Sequence, residues 1–205
     1  MPKKLIFTED EKDCLQELMN ISYGSATAAI ADIINAFANL SVPIIKIIDT
    51  QDLKDYLVTN LDLSDQHLIA TQLINGELSG ENLFIINTQS AIAMAQEFNI
   101  DDEIICEEDL HDVVLEITNI LSSSIVSSLV GQLGSHTTFS PPEIKKLDSP
   151  YDITNDFTKK YTKVIIICTE LTFKEKNIHA KLMMLNTDES IIFIKKVLNT
   201  IIDEL

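Results

Sequence analysis

Apolar residues recur at helical spacing directly after a helix start signal near the amino terminus. Thr8 and Glu11 stand three residues apart, in the pattern of a capping box. The apolar stripe that follows comprises Leu15, Leu18, Met19, Ala26, Ala29, Ile30, Ile33 and Phe37. The opposite side carries Asp13, Glu17, Asn20, Gly24 and Ala31. The pattern predicts a long amphipathic helix whose polar face could be approached closely by a partner.

Strand and turn signals follow this helix. Pro43 cannot continue a helix, and the residues after it are β-branched, so it is predicted to open a strand. The predicted elements are, in order, a strand over Ile44–Ile48, a hairpin of His67–Ile74 and Leu83–Asn87, and a helix over Ala91–Phe98 capped by Thr88 or Ser90. The first half is therefore expected to be helix, strand, hairpin and helix.

The second half has the same order. After a link at residues 99–107, the acidic run at residues 107–109 suits the amino terminus of a helix. The buried stripe of that helix is predicted to be Val114, Ile117, Leu121, Ile125 and Leu129, and its outer face Asp112, Glu116, Asn119 and Ser123. The later elements are a break over Gly131–Pro142, a hairpin of Thr162–Phe173 and Asn177–Asn186, and a helix from Thr187 through Ile202.

The two halves are copies of one unit. The pattern D-x3-E-x2-N-x22-P occurs twice, and the matching positions are 99 residues apart. The two sets are Asp13, Glu17, Asn20 and Pro43, then Asp112, Glu116, Asn119 and Pro142. We expect one pseudo-two-fold α+β domain over residues 1–205, with repeats at about 8–99 and 107–198. Its six strands are predicted to form a mostly antiparallel sheet covered by long helices.

The candidate site is a Glu/Asn pair on each long helix: Glu17 and Asn20, then Glu116 and Asn119. Each pair stands at i and i+3, so its two side chains share one helix face. Asn is a poor choice in a helix interior, and a purely solvated face would favour Ala, Lys or Glu. The neighbouring helix residues that are predicted to face solvent mostly differ between the repeats: Gln16 against Leu115 and Tyr23 against Ser122. Retention of both pairs therefore points to function. The two prolines are interpreted as scaffold, and Asp13 and Asp112 as carboxylates favoured near helix starts.

Charge and composition exclude several classes of function. The chain has 15 basic and 32 acidic residues, a net charge of −17, which argues against nucleic acid and anionic membranes as partners. Three scattered cysteines and the lack of a signal-peptide pattern favour a cytoplasmic protein. The four histidines have no metal-ligand spacing, and no phosphate-binding glycine motif or nucleophile elbow occurs. No metal or cofactor of its own is expected.

The doubled motif resembles the signature helices of the CheC/CheX/FliY family of chemotaxis phosphatases. The runs that carry the resemblance are Leu15-Gln-Glu-Leu-Met-Asn-Ile21 and Leu115-Glu-Ile-Thr-Asn-Ile-Leu121. Within that family CheX proteins typically carry one active motif and FliY proteins carry further segments. Two motifs in about 200 residues therefore look most like CheC.

The resemblance implies hydrolysis of the aspartyl phosphate on the response regulator CheY. Asn20 and Asn119 would orient the attacking water, while Glu17 and Glu116 would form a salt bridge with a lysine of the regulator. Magnesium is expected on the phosphorylated partner, because the regulator's own domain supplies the cation and the lysine around the phosphoryl group.

Two other functions are compatible with the sequence. One is a non-catalytic adaptor or regulator that binds phosphorylated CheY or CheD, the receptor deamidase with which the family resemblance implies pairing. The other is a phosphatase of a different response regulator. A pure adaptor has no need of both Asn residues, which favours the enzyme. A monomer is expected, because the duplication already supplies the symmetry of a dimer.

Overall fold

The computed structural model describes residues 6–34, 37–60, 66–98, 105–147 and 162–204. Within these ranges the helices are α1 Glu9–Ile34, α2 Leu53–Asn60, α3 Thr88–Glu97, α4 Glu107–Gln132 and α5 Asp188–Asp203. The strands are β1 Asn39–Leu40, β2 Ile44–Asp49, β3 His67–Gly76, β4 Gly80–Asn87, β5 Thr137–Phe139, β6 Glu143–Leu147, β7 Lys163–Phe173 and β8 Ile178–Asn186. Short 3-10 helices cover Thr50–Asp52 and Lys174–Lys176. The link predicted at residues 99–107 lies mostly outside the described residues.

The eight strands form one sheet in which neighbouring strands are antiparallel. Their order is β1-β7-β8-β4-β3-β5, with β2 also beside β7 and β6 also beside β3. The predicted α+β class is therefore confirmed. The predicted number of six strands is wrong, because the described part of the chain has two further short strands, β1 and β5, at the edges of the sheet.

The two halves exchange their edge strands. Strand β2 of the first repeat pairs with β7 of the second, with Ile45 opposite Ile167. Strand β6 of the second repeat pairs with β3 of the first, with Ile144 opposite Ala70. The two halves also meet in the middle of the sheet, where β4 pairs with β8. The sheet is therefore nearly symmetric about the β4–β8 line, and each edge belongs to the other half.

Both faces of the sheet are covered. On one face α1 packs on α4, α5 packs on α1 and α3 packs on α4, so that the helices and the sheet enclose the main core. The opposite face carries a smaller cluster, formed by α2 and the sheet, that includes Leu53, Leu57, Ile69, Ile85, Ile166 and Met183. Because the central strands are buried on both faces, they read in the sequence as nearly continuous apolar runs.

Helix α4 lies in the centre of the main core. Its predicted stripe of Val114, Ile117, Leu121, Ile125 and Leu129 is buried, as expected. By length and composition this helix could cross a membrane, but its apolar side chains pack against α1, α3 and the sheet, as in the core helix of a globular protein. Gly134 then takes a left-handed backbone conformation, with φ of 64°, and ends the helix.

The start of α1 is fixed by the predicted capping box and by α5. The Thr8 backbone N–H donates to Glu11 at 2.7 Å, and the Glu11 N–H donates to the Thr8 hydroxyl at 3.2 Å. Lys195 and Asn199 of α5 also donate to the buried Glu11 carboxylate. Burial alone would raise the pKa of Glu11, but these hydrogen bonds and the Lys195 charge lower it overall. The ion pair therefore anchors the first turn of α1 to the last helix.

The periodicity of α1 was misleading at its flank and its end. Tyr23, predicted to face solvent, is buried, and so is Ser122 on α4. Tyr23 lines the groove between α1 and residues 37–42, so the chain after α1 covers it. On the other flank α4 packs on α1, where Gln132 donates to the Ser22 hydroxyl at 2.9 Å. Phe37 is 80% exposed rather than part of the apolar stripe, because α1 ends before it.

The start of α3 also differs from the prediction. The helix begins at Thr88, and the residue before it, Asn87, is the N-cap. The Asn87 side-chain oxygen accepts from the backbone N–H of Ser90 at 2.7 Å. Thr88 and Ser90 are therefore first-turn residues. The last helix, predicted to start at Thr187, begins one residue later, at Asp188, with Thr187 as its N-cap.

Candidate functional site

The first Glu/Asn pair lies on the outer face of α1. Glu17 and Asn20 are exposed, and Asp13 is exposed one turn before them. Met19, between them in sequence, is buried and fixes the orientation of the helix. Neither Glu17 nor Asn20 makes a hydrogen bond or ion pair with any other described residue, so both side chains are available to a partner.

A groove of about 460 Å³ lies beside Asn20. Its floor is formed by the small residues Gly24 and Ala28 of α1, and its wall by residues 37–42. Phe37 and Val42, which are 80% and 63% exposed, are the large exposed apolar residues of that wall. A Cβ added at Gly24 would meet no atom within 4 Å, which shows how open the helix face is. A protein surface could therefore approach the backbone of α1 next to Asn20.

The second pair lies on the matching face of α4. Glu116 and Asn119 are exposed, with Asp112 exposed one turn earlier. In this site the Asn119 side-chain oxygen accepts a hydrogen bond from Nε2 of Gln72 at 3.1 Å. Gln72 is a buried residue of β3, and the same nitrogen donates to the backbone oxygen of Ser140 at 2.9 Å. The Gln72 side-chain oxygen has no partner among the described residues. A side chain of the sheet therefore holds one of the two asparagines, Asn119, by a hydrogen bond.

The corresponding position in the first site is occupied by a threonine. In one half the Leu73 N–H donates to the Ser140 hydroxyl, and in the other half the Glu170 N–H donates to the Ser41 hydroxyl. These bonds are equivalent, because Ser41 and Ser140 are 99 residues apart. Leu73 and Glu170 therefore occupy corresponding positions, and so do the residues before them, Gln72 and Thr169.

Thr169 makes only one of the two hydrogen bonds that Gln72 makes. Its hydroxyl donates to the Ser41 backbone oxygen at 2.6 Å, as Gln72 does to Ser140. The shorter side chain makes no bond to Asn20. The two sites therefore share their Glu/Asn pairs but differ in what supports the asparagine.

Gln72 was missed by reasoning from the sequence. The repeat aligns motif positions at an offset of 99 residues, whereas Gln72 and Thr169 are 97 residues apart, so the repeat does not pair them. One signal was available: Gln72 is a long polar residue inside the mostly apolar strand from Leu68 to Ile74. Among the described residues, no group of three or more His, Cys, Asp or Glu side chains is placed to hold a metal ion.

A comparison with protein-family models gives a match. The family model of the chemotaxis phosphatase CheX matches residues 68–169. The match includes Gln72, Glu116 and Asn119 and leaves out the first pair. No curated protein matches the sequence.

Several solved structures share the fold. FliY of Thermotoga maritima is similar with a TM-score of 0.72 and 19% identity, over 95% of this chain and 98% of that one. CheX of Borrelia burgdorferi, solved as a CheX–CheY complex with BeF3 and Mg2+, has a TM-score of 0.53 and 13% identity, over 84% and 99%. The middle domain of FliM from Vibrio alginolyticus has a TM-score of 0.63 and 11% identity, over 90% and 99%.

The match to the CheX family model, together with the fold shared with FliY and CheX, places the chain in a family of chemotaxis proteins. With the CheX match, the chain belongs to the CheC/CheX/FliY family. The family is described as one of chemotaxis phosphatases, which gives the class of activity. The fold by itself does not give the activity of this chain, because the FliM middle domain has the same fold.

Proposed function

We propose that this protein hydrolyses the aspartyl phosphate of a CheY-like response regulator. Asn20 and Asn119 orient the attacking water, and Glu17 and Glu116 anchor the regulator through a lysine. The observation that carries this proposal is the repeated pair of exposed Glu and Asn side chains on equivalent helix faces. The CheX–CheY complex of Borrelia supports the choice of partner class.

The reaction needs positioning rather than a nucleophile on this chain. The water oxygen attacks phosphorus, the bond between phosphorus and the aspartyl oxygen breaks, and the carboxylate leaves with the electron pair. The water proton passes to the released phosphate or to solvent. An Asn carboxamide has an acceptor for the water and donors for a phosphoryl oxygen, which suits it to this step. Magnesium belongs to the regulator, whose own domain binds it beside the phosphoryl group.

The glutamates would determine how the regulator docks. Each lies one turn before its asparagine and forms no ion pair in the described part of the chain, so its carboxylate can receive a lysine. In the first site, the groove between α1 and residues 37–42 gives the docked surface room beside Asn20. We also infer a cytoplasmic location, supported by three free cysteines.

The first test compares Asn20→Ala, Asn119→Ala and the double variant with the wild type. Decay of the phosphorylated regulator is followed by phosphate release. Wild type is expected to accelerate decay, each single variant to retain part of the effect, and the double variant to lose at least about tenfold in rate. Both side chains are exposed, so unfolding by urea should show that the variants remain folded.

The same experiment separates the alternatives. If one single variant abolishes the effect, the other site is inactive. If wild type binds the phosphorylated regulator without accelerating its decay, the protein is an adaptor for that regulator, and binding to CheD becomes the next measurement. Neither binding nor acceleration would contradict the choice of partner.

A further inference from the structure

The hydrogen bond between Gln72 and Asn119 assigns a role to a residue outside the repeated motif. We propose that Gln72 is a positioning residue of the second site, which fixes the Asn119 carboxamide with its oxygen toward the sheet and its NH2 group toward the partner. This assignment rests on the proposed function of Asn119. It makes the second site preordered and the first site adjustable.

The orientation of both amides follows from one atom. The backbone oxygen of Ser140 can only accept a hydrogen bond, so the Gln72 group 2.9 Å from it must be the nitrogen. The second hydrogen of that nitrogen then points to Asn119, 3.1 Å away. Asn119 must face it with an acceptor, which is its side-chain oxygen. The Asn119 NH2 group is consequently on the other side, at the exposed helix face.

The fixed carboxamide keeps the groups that the reaction needs. A carboxamide oxygen has two lone pairs, and Gln72 occupies one of them, so the other can still accept from a water molecule. The NH2 group can donate to a phosphoryl oxygen. A free carboxamide rotates between two orientations, so a fraction of the encounters with the regulator find it in the unproductive one. Holding it in one orientation removes that loss before the regulator binds.

The first site has no such support. Thr169 stands where Gln72 stands in the other half, and its hydroxyl is bonded to the Ser41 backbone oxygen at 2.6 Å. The Asn20 side chain makes no hydrogen bond with any residue that the structure describes. Both sites can therefore bind the same partner class while differing in the rate of the chemical step.

The test uses Gln72→Thr, because threonine fits the equivalent position of the same sheet. In an Asn20→Ala background, where the second site alone acts, kcat is expected to fall about tenfold while KM stays within about twofold. Glu116 and the docking face are unchanged by the substitution, which is why KM is spared. Because Gln72 acts through Asn119, the effect should vanish when Asn119 is already alanine. Gln72→Met, which keeps the length without the donor, should behave like Gln72→Thr.

A second measurement does not depend on activity. In protein labelled with nitrogen-15 on asparagine, the side-chain amide of Asn119 should be more ordered than that of Asn20, and Gln72→Thr should abolish the difference. Equal mobility of the two amides in wild type would overturn the proposal, and so would an unchanged kcat for Gln72→Thr in the Asn20→Ala background. An ordered Asn119 in a protein without phosphatase activity would retain the positioning role and overturn the proposed function instead.

Discussion

At the scale of single residues, both candidate sites contain side chains that a stability criterion alone would not select. Asn20 and Asn119 lie in the middle of exposed helix faces, where Asn is about 0.5 kcal/mol less favourable than Ala. Gln72 is buried with its oxygen unpaired among the described residues, a situation that costs about 1–3 kcal/mol. Departures from local preference that coincide in space are typical of functional sites. Asn119 and Gln72 form such a cluster at the second site.

The docking role of the glutamates can be tested by reversing one charge. Glu116→Lys, in an Asn20→Ala background, is expected to raise KM for the phosphorylated regulator about tenfold, because a lysine of the partner would meet a like charge. Glu116 is exposed and forms no ion pair within the described ranges, so stability should change by less than about 0.5 kcal/mol. Initial rates of phosphate release against regulator concentration give kcat and KM separately.

The matched control is Asp203→Lys. Asp203 is also exposed, lies at the end of α5, and undergoes the same change of charge. It should leave KM within about twofold, because a change of net charge alone acts weakly at physiological salt. Equal effects of the two substitutions would show general electrostatic steering and would contradict a specific contact at Glu116.

At the scale of secondary-structure elements, the sequence predicts most helices and strands that have a periodic pattern or capping residues of their own. The long helices and both hairpins lie where the patterns indicate. The short strands β1 and β5 were not predictable, because two or three residues have no period and pair only with the ends of β7 and β3 next to the hairpin turns. Burial of Tyr23 likewise depends on residues outside α1, such as 37–42, which a single-helix pattern cannot contain.

The residues of the candidate site also differ in whether the sequence could identify them. The Glu/Asn pairs are local to one helix and repeat, so the sequence alone identifies them as candidates. The contact between Gln72 and Asn119 joins residues 47 positions apart, and it requires β3 to lie beside the chain that leaves α4. No pattern within one element specifies that neighbourhood. A residue that supports the site from another element is therefore visible only in the structure.

Two glycines give a matched test of the close approach between β4 and β8. A Cβ at Gly80, the first residue of β4, would lie 2.1 Å from the Leu185 backbone oxygen of β8. Gly80→Ala is therefore expected to destabilise the protein by about 3 kcal/mol, since the neighbouring backbone would have to move. At Gly131 in α4 a Cβ would meet nothing within 4 Å, so Gly131→Ala should stabilise by about 0.5–1 kcal/mol.

Urea unfolding midpoints measure both substitutions. The same chemical change should move the midpoint in opposite directions. A tolerated alanine at Gly80 would mean that β4 and β8 are farther apart than described, and with them the line where the two halves meet.

At the scale of the whole molecule, the exchange of edge strands joins the two halves, and so both sites belong to one folded unit. Each long helix is followed by a strand that completes the sheet of the other half. The helices of the two sites also pack on each other, through contacts such as that between Gln132 and Ser22. Unfolding of one half would therefore remove the support of both sites, although each Glu/Asn pair belongs to one repeat.

This arrangement predicts how the separate halves behave. Residues 1–104 and 105–205, expressed alone, are each expected to be unfolded or to pair with a second copy, because each half lacks the partner of its long helix and of its edge strand. Mixed together, they should form a one-to-one complex with the circular dichroism spectrum of the intact chain. Light scattering coupled to size exclusion gives the stoichiometry. Strand exchange makes each half complete only in the presence of the other. A half that is folded and monomeric at micromolar concentration would therefore contradict the single domain and show that two independent units had been joined.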